Sequence, residues 1–254
     1  MESRLEFWNQ RASLGFKAGS NDHLLKFLEI EELKKYIRDS TKILEIGCGN
    51  GYTSIDIAKS FDVEIESFDY SKKMIDFAKN LLKQKKNQDI YDKVKFQIFD
   101  IRNLDQIDGK FDLIITERVL INLDSFEEQI KAINTISSKL KKGGSFLMCE
   151  SSTDGLKNIN KERMKFDLDM IEMPWHNNYI DDEKLNAKKS NIDLKLKEIN
   201  NFSSTYYFLS RIIYANYANI KNEKVIYDSI INKMSLKLPP IGDFSQTKIW
   251  VWEK

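Results

Sequence analysis

The strongest constraint on the fold is the regular alternation of short apolar runs with amphipathic segments between residues 41 and 150. Short apolar runs bounded by turn residues predict buried strands, whereas apolar residues spaced three or four apart predict helices. Strands and helices that alternate in this way form right-handed βαβ units around a mostly parallel sheet. The sequence therefore predicts an α/β protein with a Rossmann-like, doubly wound sheet.

Seven stretches of the chain have the composition of strands. They span residues 41–47, 63–69, 93–100, 110–117, 145–150, 193–199 and 247–253. Asp124 and Glu127 have the spacing of a capping box, which predicts a helix from there to the Gly143–Gly144 pair. No repeat or flexible linker divides the chain, so we expect one domain over residues 1–254.

Composition argues against several kinds of partner. Forty basic and thirty-nine acidic residues leave a net charge of +1, so we expect no nucleic-acid partner. No apolar stretch approaches the ~18 residues of a membrane span, and the N-terminus lacks the layout of a secretory leader. We therefore expect a cytoplasmic protein without a membrane partner. Cys48 and Cys149 are too few for a disulfide framework or a thiolate zinc site, and we expect no metal.

The stretch "ILEIGCGNG" places Gly47, Gly49 and Gly51 directly after the first predicted strand. A dinucleotide fingerprint needs its third glycine at position 52, which is Tyr52, and no Gly-Lys-Ser/Thr phosphate loop follows. Asp69 ends the next strand, where a carboxylate can accept both hydroxyls of a ribose. Such a loop suits an adenosine that carries no pyrophosphate.

These residues resemble the class I S-adenosylmethionine-dependent methyltransferases, whose first motif looks like "LEIGCGNG". The resemblance continues through "FDYSKKMI", "FDIRNL", "FDLIITE" and "LKKGGSFLM", and covers residues 43 to about 150. It implies a seven-stranded sheet with an antiparallel last strand. It also implies S-adenosylmethionine as the cofactor and S-adenosylhomocysteine as the product.

The resemblance also implies roles for particular residues at the cofactor. The glycine loop lies against the methionine part, Glu45 reaches its ammonium, and Asp69 takes the ribose hydroxyls. "FWNQRA" is similar to a segment that folds over the cofactor in some relatives. The expected cofactor set is Trp8, Arg11, Glu45, Gly47, Gly49, Gly51, Asp69, Tyr70, Met74, Asp100, Ile101 and Glu117.

The clues to the methyl acceptor lie outside this core. We expect residues 1–40 to cover the cofactor, residues 41–150 to hold it, and two insertions, 151–182 and 202–245, to form the acceptor pocket. Polar aromatic residues and arginines are the candidates there, and arginines that converge would indicate an anionic acceptor. The expected acceptor set is Arg118, Arg163, Trp175, His176, Asn177, Tyr179, Tyr206, Tyr207 and Arg211.

Catalysis depends on the acceptor. A hydroxyl acceptor needs His176, Glu117 or Glu150 as a base, whereas a phosphate-type oxyanion needs none. The stretches "TERVLINL", "PWHNNY" and "FSSTYYFLSR" look similar to small bacterial methyltransferases of capsule and surface-polysaccharide modification. We therefore expect O-methylation of a small polar acceptor, with an anionic acceptor as one case.

Three other functions stay open at this stage. They are N-methylation of a small metabolite or amino sugar, a nicotinamide-dependent oxidoreductase, and an inactive nucleoside-binding module. The missing third glycine counts against the oxidoreductase. The expected partner is a small molecule in each case, and the sequence does not choose between a monomer and a homodimer.

Overall fold

The computed structural model describes residues 2–254 and contains a seven-stranded sheet. Its strands are β1 Thr41–Ile46, β2 Val63–Asp69, β3 Val94–Ile98, β4 Phe111–Glu117, β5 Leu140–Ser151, β6 Lys195–Asn200 and β7 Thr247–Glu253. Their order across the sheet is β3-β2-β1-β4-β5-β7-β6, and β7 runs antiparallel to both of its neighbours. This confirms the predicted Rossmann-like sheet with an antiparallel last strand.

Helices connect the strands and cover both faces of the sheet. They are α1 Arg4–Arg11, α2 His23–Lys34, α3 Tyr52–Ser60, α4 Lys72–Leu82, α5 Phe126–Lys139, α6 Thr153–Met164, α7 Asp182–Lys188, α8 Ser204–Tyr207, α9 Tyr214–Ile220 and α10 Ile230–Ser235. A π-helical segment, Phe208–Ile213, joins α8 to α9. Short 3-10 turns span Ala12–Lys17, Lys85–Ile90, Ile101–Gln106, Leu120–Asn122 and Lys189–Asn191. Within residues 2–254, every helix is too short or too polar to cross a bilayer.

Strand β1 is buried on both faces of the sheet. Its side chains alternate, so Ile43 packs into the core cluster on one face and Leu44 into the cluster on the other. A third cluster, formed by α2, α6 and the α8–α9 region, contains Leu25, Ile159 and Tyr206. The insertions therefore pack against α2 and not against the sheet alone.

The order of the strands reverses at β1, which lies between β2 and β4. Ile46, the last residue of β1, is in register with Phe68 of β2 and Thr116 of β4. The carboxyl ends of these three strands therefore meet at one edge of the sheet. Doubly wound sheets bind their ligands at such a reversal point.

The start of α5 differs from the prediction. Ser125, not Asp124, caps the helix, because its Oγ accepts the Glu128 backbone N–H at 3.1 Å. The Glu128 carboxylate accepts the Asp124 backbone N–H at 3.0 Å, and the Asp124 side chain pairs with Arg4. The other end differs too, since α5 stops at Lys139 and β5 begins at once to pair with β4.

We expect Ser125→Ala to lower the free energy of unfolding by about 1 kcal/mol, because it removes the acceptor for an N-terminal N–H of α5. Asp124→Ala removes only an exposed ion pair and should cost less. Urea unfolding of the two variants compares these costs. An equal or larger loss for Asp124→Ala would contradict the assignment of the cap.

Candidate active site

A cavity of about 600 Å³ lies at the carboxyl ends of β1, β2 and β4. Most of the expected cofactor set lines it, and two members of that set, Arg11 and Gly51, are not part of its lining. The lining members are Trp8, Glu45, Gly47, Gly49, Asp69, Tyr70, Met74, Asp100, Ile101 and Glu117. The strand ends thus bring together residues that are far apart in the sequence.

The glycine loop leaves β1 through two constrained positions. At Gly47, with φ +71°, an added Cβ would lie 2.3 Å from Cγ2 of Val119. At Gly49, with φ +52°, no atom lies within 4 Å of an added Cβ. Both backbones favour glycine because L side chains rarely adopt positive φ. Gly47 therefore lets the Val119 side chain pack directly against the loop. Gly49 lines the cavity with backbone alone, because it has no side chain.

Asp69 is the buried carboxylate at the end of β2. Its Oδ2 accepts the Gly49 backbone N–H at 2.9 Å and its Oδ1 accepts the Ser71 backbone N–H at 2.8 Å. Burial raises the pKa of Asp69 to about 6, against the lowering effect of these two bonds. Each oxygen keeps a further acceptor site, which suits a vicinal diol such as a ribose.

Glu45 is a second buried carboxylate on the cavity wall. It accepts a hydrogen bond from the Ser54 hydroxyl, which is also 2.7 Å from the Ser67 hydroxyl. Burial raises the pKa of Glu45 to about 7. A cationic group beside Glu45 would favour its ionised form, as the expected contact with an ammonium requires.

The end of β4 carries a buried ionic cluster. The Lys26 Nζ of α2 donates to Glu117 Oε1 at 2.5 Å and to Thr53 Oγ1 at 2.7 Å. The Arg118 guanidinium lies 3.5 Å from Glu117 Oε1 and 3.2 Å from Glu29 Oε2. Lys26, Glu117 and Arg118 all line the cavity. Lys26 and Thr53 were not among the predicted site residues, because they lie on separate helices and belong to no recognisable motif.

The two acids of this cluster have pKa values shifted in opposite directions. Burial opposes ionisation of Glu117, but Lys26 and Arg118 together lower its pKa. Burial raises the pKa of Glu29, although Arg118 opposes this rise. Lys26 and Arg118 therefore stabilise the Glu117 carboxylate, whereas burial disfavours the charged form of Glu29.

Arg118 has an unusual backbone, with φ +56° in the left-handed region. Its N–H donates to the Cys149 carbonyl at 2.8 Å, and its own carbonyl accepts from Asn122 Nδ2 at 2.7 Å. These bonds hold a conformation that costs a non-glycine residue about 1–3 kcal/mol. Gly19 leaves space for the guanidinium, since an added Cβ there would lie 3.2 Å from Arg118 Nη2.

The two other candidate bases lie outside the cavity lining. The His176 ring stacks on Phe7 with 4.1 Å between centroids, and burial together with Arg11 and Arg4 lowers its pKa to about 4. Glu150 is buried and accepts the backbone N–H groups of the 119–121 turn at 3.0 to 3.4 Å. Both assignments stay predictions, and neither side chain is placed to take a proton inside the cavity.

The expected acceptor residues are dispersed. Arg118 and Trp175 line the cavity, whereas Arg163, His176, Asn177, Tyr179, Tyr206, Tyr207 and Arg211 do not. Arg211 pairs with Asp22 at 2.5 Å, and Arg163 donates to the Arg211 carbonyl. The three arginines therefore do not converge on one site.

The three expected tyrosines are held by hydrogen bonds of their hydroxyl groups. The Tyr206 hydroxyl donates to Asp22 Oδ1 at 2.6 Å, and the Tyr207 hydroxyl is 3.0 Å from Thr247 Oγ1. The Tyr179 hydroxyl accepts a bond from Gln246 Nε2 at 2.8 Å. These bonds tie the two insertions to α2 and β7.

Helix α1 lies across the cavity mouth. Its Trp8 Nε1 donates to Asn122 Oδ1 at 3.2 Å, and its Asn9 Oδ1 accepts from the Ser71 hydroxyl at 2.7 Å. Arg11 instead donates to the backbone carbonyls of Ala18 at 2.5 Å and Lys17 at 2.9 Å. Arg11 therefore stabilises the turn that follows α1.

The buried acids predict a pH dependence of stability. Burial raises the pKa of Glu150 from 4.5 to about 7, so the folded chain keeps a proton that the unfolded chain loses. Stability from this group is complete below 4.5 and is lost as the pH rises to about 7. We expect Glu150→Gln to flatten the decline, measured by urea unfolding across this window. A stability that increases through the window, or an unchanged slope in the variant, would contradict this.

Comparison with known proteins identifies the family. The family model described as a methyltransferase domain matches residues 37–203, well over half of the chain. The chain belongs to this family. With its sheet order, it is a class I methyltransferase, a class whose cofactor is S-adenosylmethionine.

The relatives of this methyltransferase act on varied acceptors. It is 26% identical over 117 residues to norajmaline N-methyltransferase from Rauvolfia serpentina, covering 46% of this chain and 38% of that protein. It is 29% identical over 134 residues to ribosomal protein L11 methyltransferase from Thermosipho melanesiensis, covering 53% and 47%. The matches thus span less than half of each relative.

A solved structure shares the fold. Magnesium protoporphyrin IX methyltransferase from Synechocystis PCC 6803, solved with bound S-adenosylhomocysteine, aligns with a TM-score of 0.53 and 13% identity. The alignment covers 100% of this methyltransferase and 89% of that chain. The carboxylates and the bare glycine backbone of the cavity fit the cofactor of the class.

Proposed function

We propose that this methyltransferase transfers a methyl group to an oxygen of a small anionic acceptor of the carboxylate or phosphate type. One observation carries the proposal: the cations Lys26 and Arg118 line the cavity at the end of β4, whereas His176 and Glu150 do not. Ammonium and guanidinium groups on a cavity wall would bind a carboxylate or phosphate through charge-assisted hydrogen bonds. An anion that is already a nucleophile needs no base.

The chain would hold its cofactor through the residues that meet at the strand ends. S-adenosylmethionine, when bound, supplies a methyl group that is activated by its positively charged sulfur. Asp69 would accept the ribose hydroxyls and Glu45 the ammonium, while the Gly49 backbone leaves room for the ligand. The adenine side would be formed by Tyr70, Met74, Asp100 and Ile101.

The transfer depends mainly on the alignment of the acceptor oxygen with the methyl group and on the exclusion of water. A lone pair of the acceptor oxygen forms the bond to the methyl carbon as the carbon–sulfur bond breaks. The electron pair stays on sulfur, which gives S-adenosylhomocysteine and a methyl ester. Since an ionised acceptor releases no proton, Lys26 and Arg118 need only hold it in line.

The parts of the chain would divide this work. Residues 1–40 would cover the cofactor, because α1 lies across the cavity mouth. Residues 41–150 would hold it, because they supply the glycine loop and the strand-end acids. The insertions 151–182 and 202–245 would shape the acceptor side, to which Trp175 belongs. A surface-polysaccharide precursor that carries an acid group stays a prediction for the acceptor.

N-methylation is the second candidate, favoured by the match to norajmaline N-methyltransferase. An amine acceptor arrives as a cation or must lose a proton. Lys26 and Arg118 would repel a cation at the end of β4, and they lower the pKa of Glu117, which makes it a poor base. We therefore prefer the anionic oxygen acceptor.

A methyl-transfer screen tests the proposal by following S-adenosylhomocysteine release. Sugars and hydroxy acids with and without a phosphate or carboxylate group would be compared as matched pairs. We expect turnover only with the anionic member of a pair, and His176→Ala should turn over at the wild-type rate. Turnover of neutral hydroxyl acceptors by the wild type, lost in His176→Ala, would contradict the proposal.

A further inference from the structure

Helix α10 buries two polar side chains and exposes two apolar ones. Asn232 and Ser235 are 0% and 2% exposed, whereas Ile230, Met234 and, just after the helix, Leu238 are 69%, 59% and 50% exposed. A spacing of four residues puts Ile230 and Met234 on one side of the helix. We name Ile230, Met234 and Leu238 the α10 face.

Local hydrogen bonds satisfy polar groups on the buried side of α10. The Ser229 hydroxyl caps the helix by accepting the Asn232 N–H at 3.1 Å, and Asn232 Nδ2 donates to the Tyr227 carbonyl at 3.0 Å. The Ser235 hydroxyl donates to the Asn232 carbonyl at 2.7 Å. On this side Leu236 packs against the third core cluster, which leaves the α10 face outward.

The segments on either side carry further exposed apolar residues and an excess of basic residues. The exposed apolar residues there are Ile220, Val225, Ile226 and Ile241. The charged residues of the segment 220–241 are Lys221, Glu223, Lys224, Asp228, Lys233 and Lys237. The Asp228 carboxylate pairs with Lys233 at 3.0 Å, which leaves three lysines and Glu223. The segment is therefore apolar and basic at once.

Charge decides between the possible occupants. A twofold contact between two copies of this surface would bring together two segments that each carry four lysines against two acids, which is unfavourable. An anionic bilayer accepts both parts of the surface, because its head groups pair with lysines and its acyl region takes aliphatic side chains. We propose that the α10 face binds the surface of an anionic lipid bilayer.

The segment that carries this surface contacts α2. Asp228, two residues before the α10 face, is 3.5 Å from His23 at the start of α2, and the same helix carries Lys26 into the cavity lining. The sequence argued against a membrane partner because it has no spanning segment, but a surface contact needs none. The inference is independent of the acceptor.

Vesicle sedimentation tests the inference. The full chain would be mixed with vesicles of phosphatidylcholine alone or of phosphatidylcholine with phosphatidylglycerol. We expect binding to the anionic vesicles only, with release at high salt. The variant I230S/M234S/L238S should lose about tenfold or more of this binding. The control Y91S/I98S removes exposed apolar residues near β3 and should bind as wild type does.

Two readouts keep the test decisive. S-adenosylhomocysteine should bind equally to wild type and to both variants, which shows that the triple variant is folded. Absence of wild-type binding to anionic vesicles, or full binding by the folded triple variant, overturns the proposal. Light scattering that finds a dimer lost in the triple variant, without vesicle binding, would assign the α10 face to a second copy instead.

Discussion

Asp69→Ala should weaken the binding of S-adenosylhomocysteine by about a hundredfold, because a charged acceptor of two hydroxyl bonds is lost. The same change leaves the Gly49 and Ser71 N–H groups without an acceptor, so the glycine loop also loses its anchor. Isothermal calorimetry with S-adenosylhomocysteine measures the affinity directly.

Asp62→Ala is the matched control for this variant. Asp62 directly precedes β2, which Asp69 ends, and it only makes an exposed pair with Lys93 at 2.9 Å. We expect its affinity for S-adenosylhomocysteine to equal that of wild type. An Asp69→Ala protein that is folded and binds as tightly as this control would remove Asp69 from the cofactor site.

Lys26→Met should lower the free energy of unfolding by about 3–5 kcal/mol, because it leaves the buried Glu117 carboxylate without its nearest counter-ion. The comparison is Lys35→Met, at the C-terminal end of the same helix, α2. The Lys35 side chain is exposed and pairs with Glu32 at 2.6 Å, so its loss should cost less than about 1 kcal/mol. Guanidinium unfolding of the two variants separates a buried from an exposed ion pair.

A second substitution shows whether Lys26→Met loses stability through the unpaired Glu117 charge or through lost packing. Glu117→Gln in the Lys26→Met chain removes the unpaired charge, so most of the lost stability should return. If the double variant is no more stable than Lys26→Met, the loss comes from packing. If Lys26→Met is as stable as Lys35→Met, the buried pair does not contribute as described.

The sheet and the glycine loop could be predicted because their signals are local. The apolar run of β1 and the positive φ at Gly47 and Gly49 depend on a few neighbouring residues. The position of Asp69 could be predicted for a related reason. Parallel strands that are in register end at the same edge of the sheet, and Asp69 ends β2. The exact start of α5 was predicted wrongly, because the adjacent residues Asp124 and Ser125 are both of a type that can cap a helix.

The ionic cluster could not be read from the sequence. Lys26 meets Glu117 only because α2 packs beside α3 at the end of β4. Likewise, nothing in the sequence shows that Arg211 pairs with Asp22 or that His176 stacks on Phe7. These contacts join residues more than ninety positions apart, so they follow from the packing of whole elements.

The same limit applies to α10. A spacing of four between Ile230, Met234 and Leu238 would ordinarily predict a face that packs on the core. The structure buries the other side instead, where Leu236 packs against the third core cluster and the Asn232 amide finds a partner within its own segment. The direction of this amphipathic helix therefore follows from the packing of the insertion and not from its periodicity.

The most direct measurement of the central claim is the position of the transferred methyl group. S-adenosylmethionine carrying an isotope-labelled methyl group would be incubated with the protein and an anionic acceptor from the screen, and the product examined by NMR. We expect a labelled methyl ester on a carboxylate or phosphate oxygen. The ester should be absent in Arg118→Gln, although that variant should still bind S-adenosylhomocysteine. A label on nitrogen or on a neutral hydroxyl would contradict it.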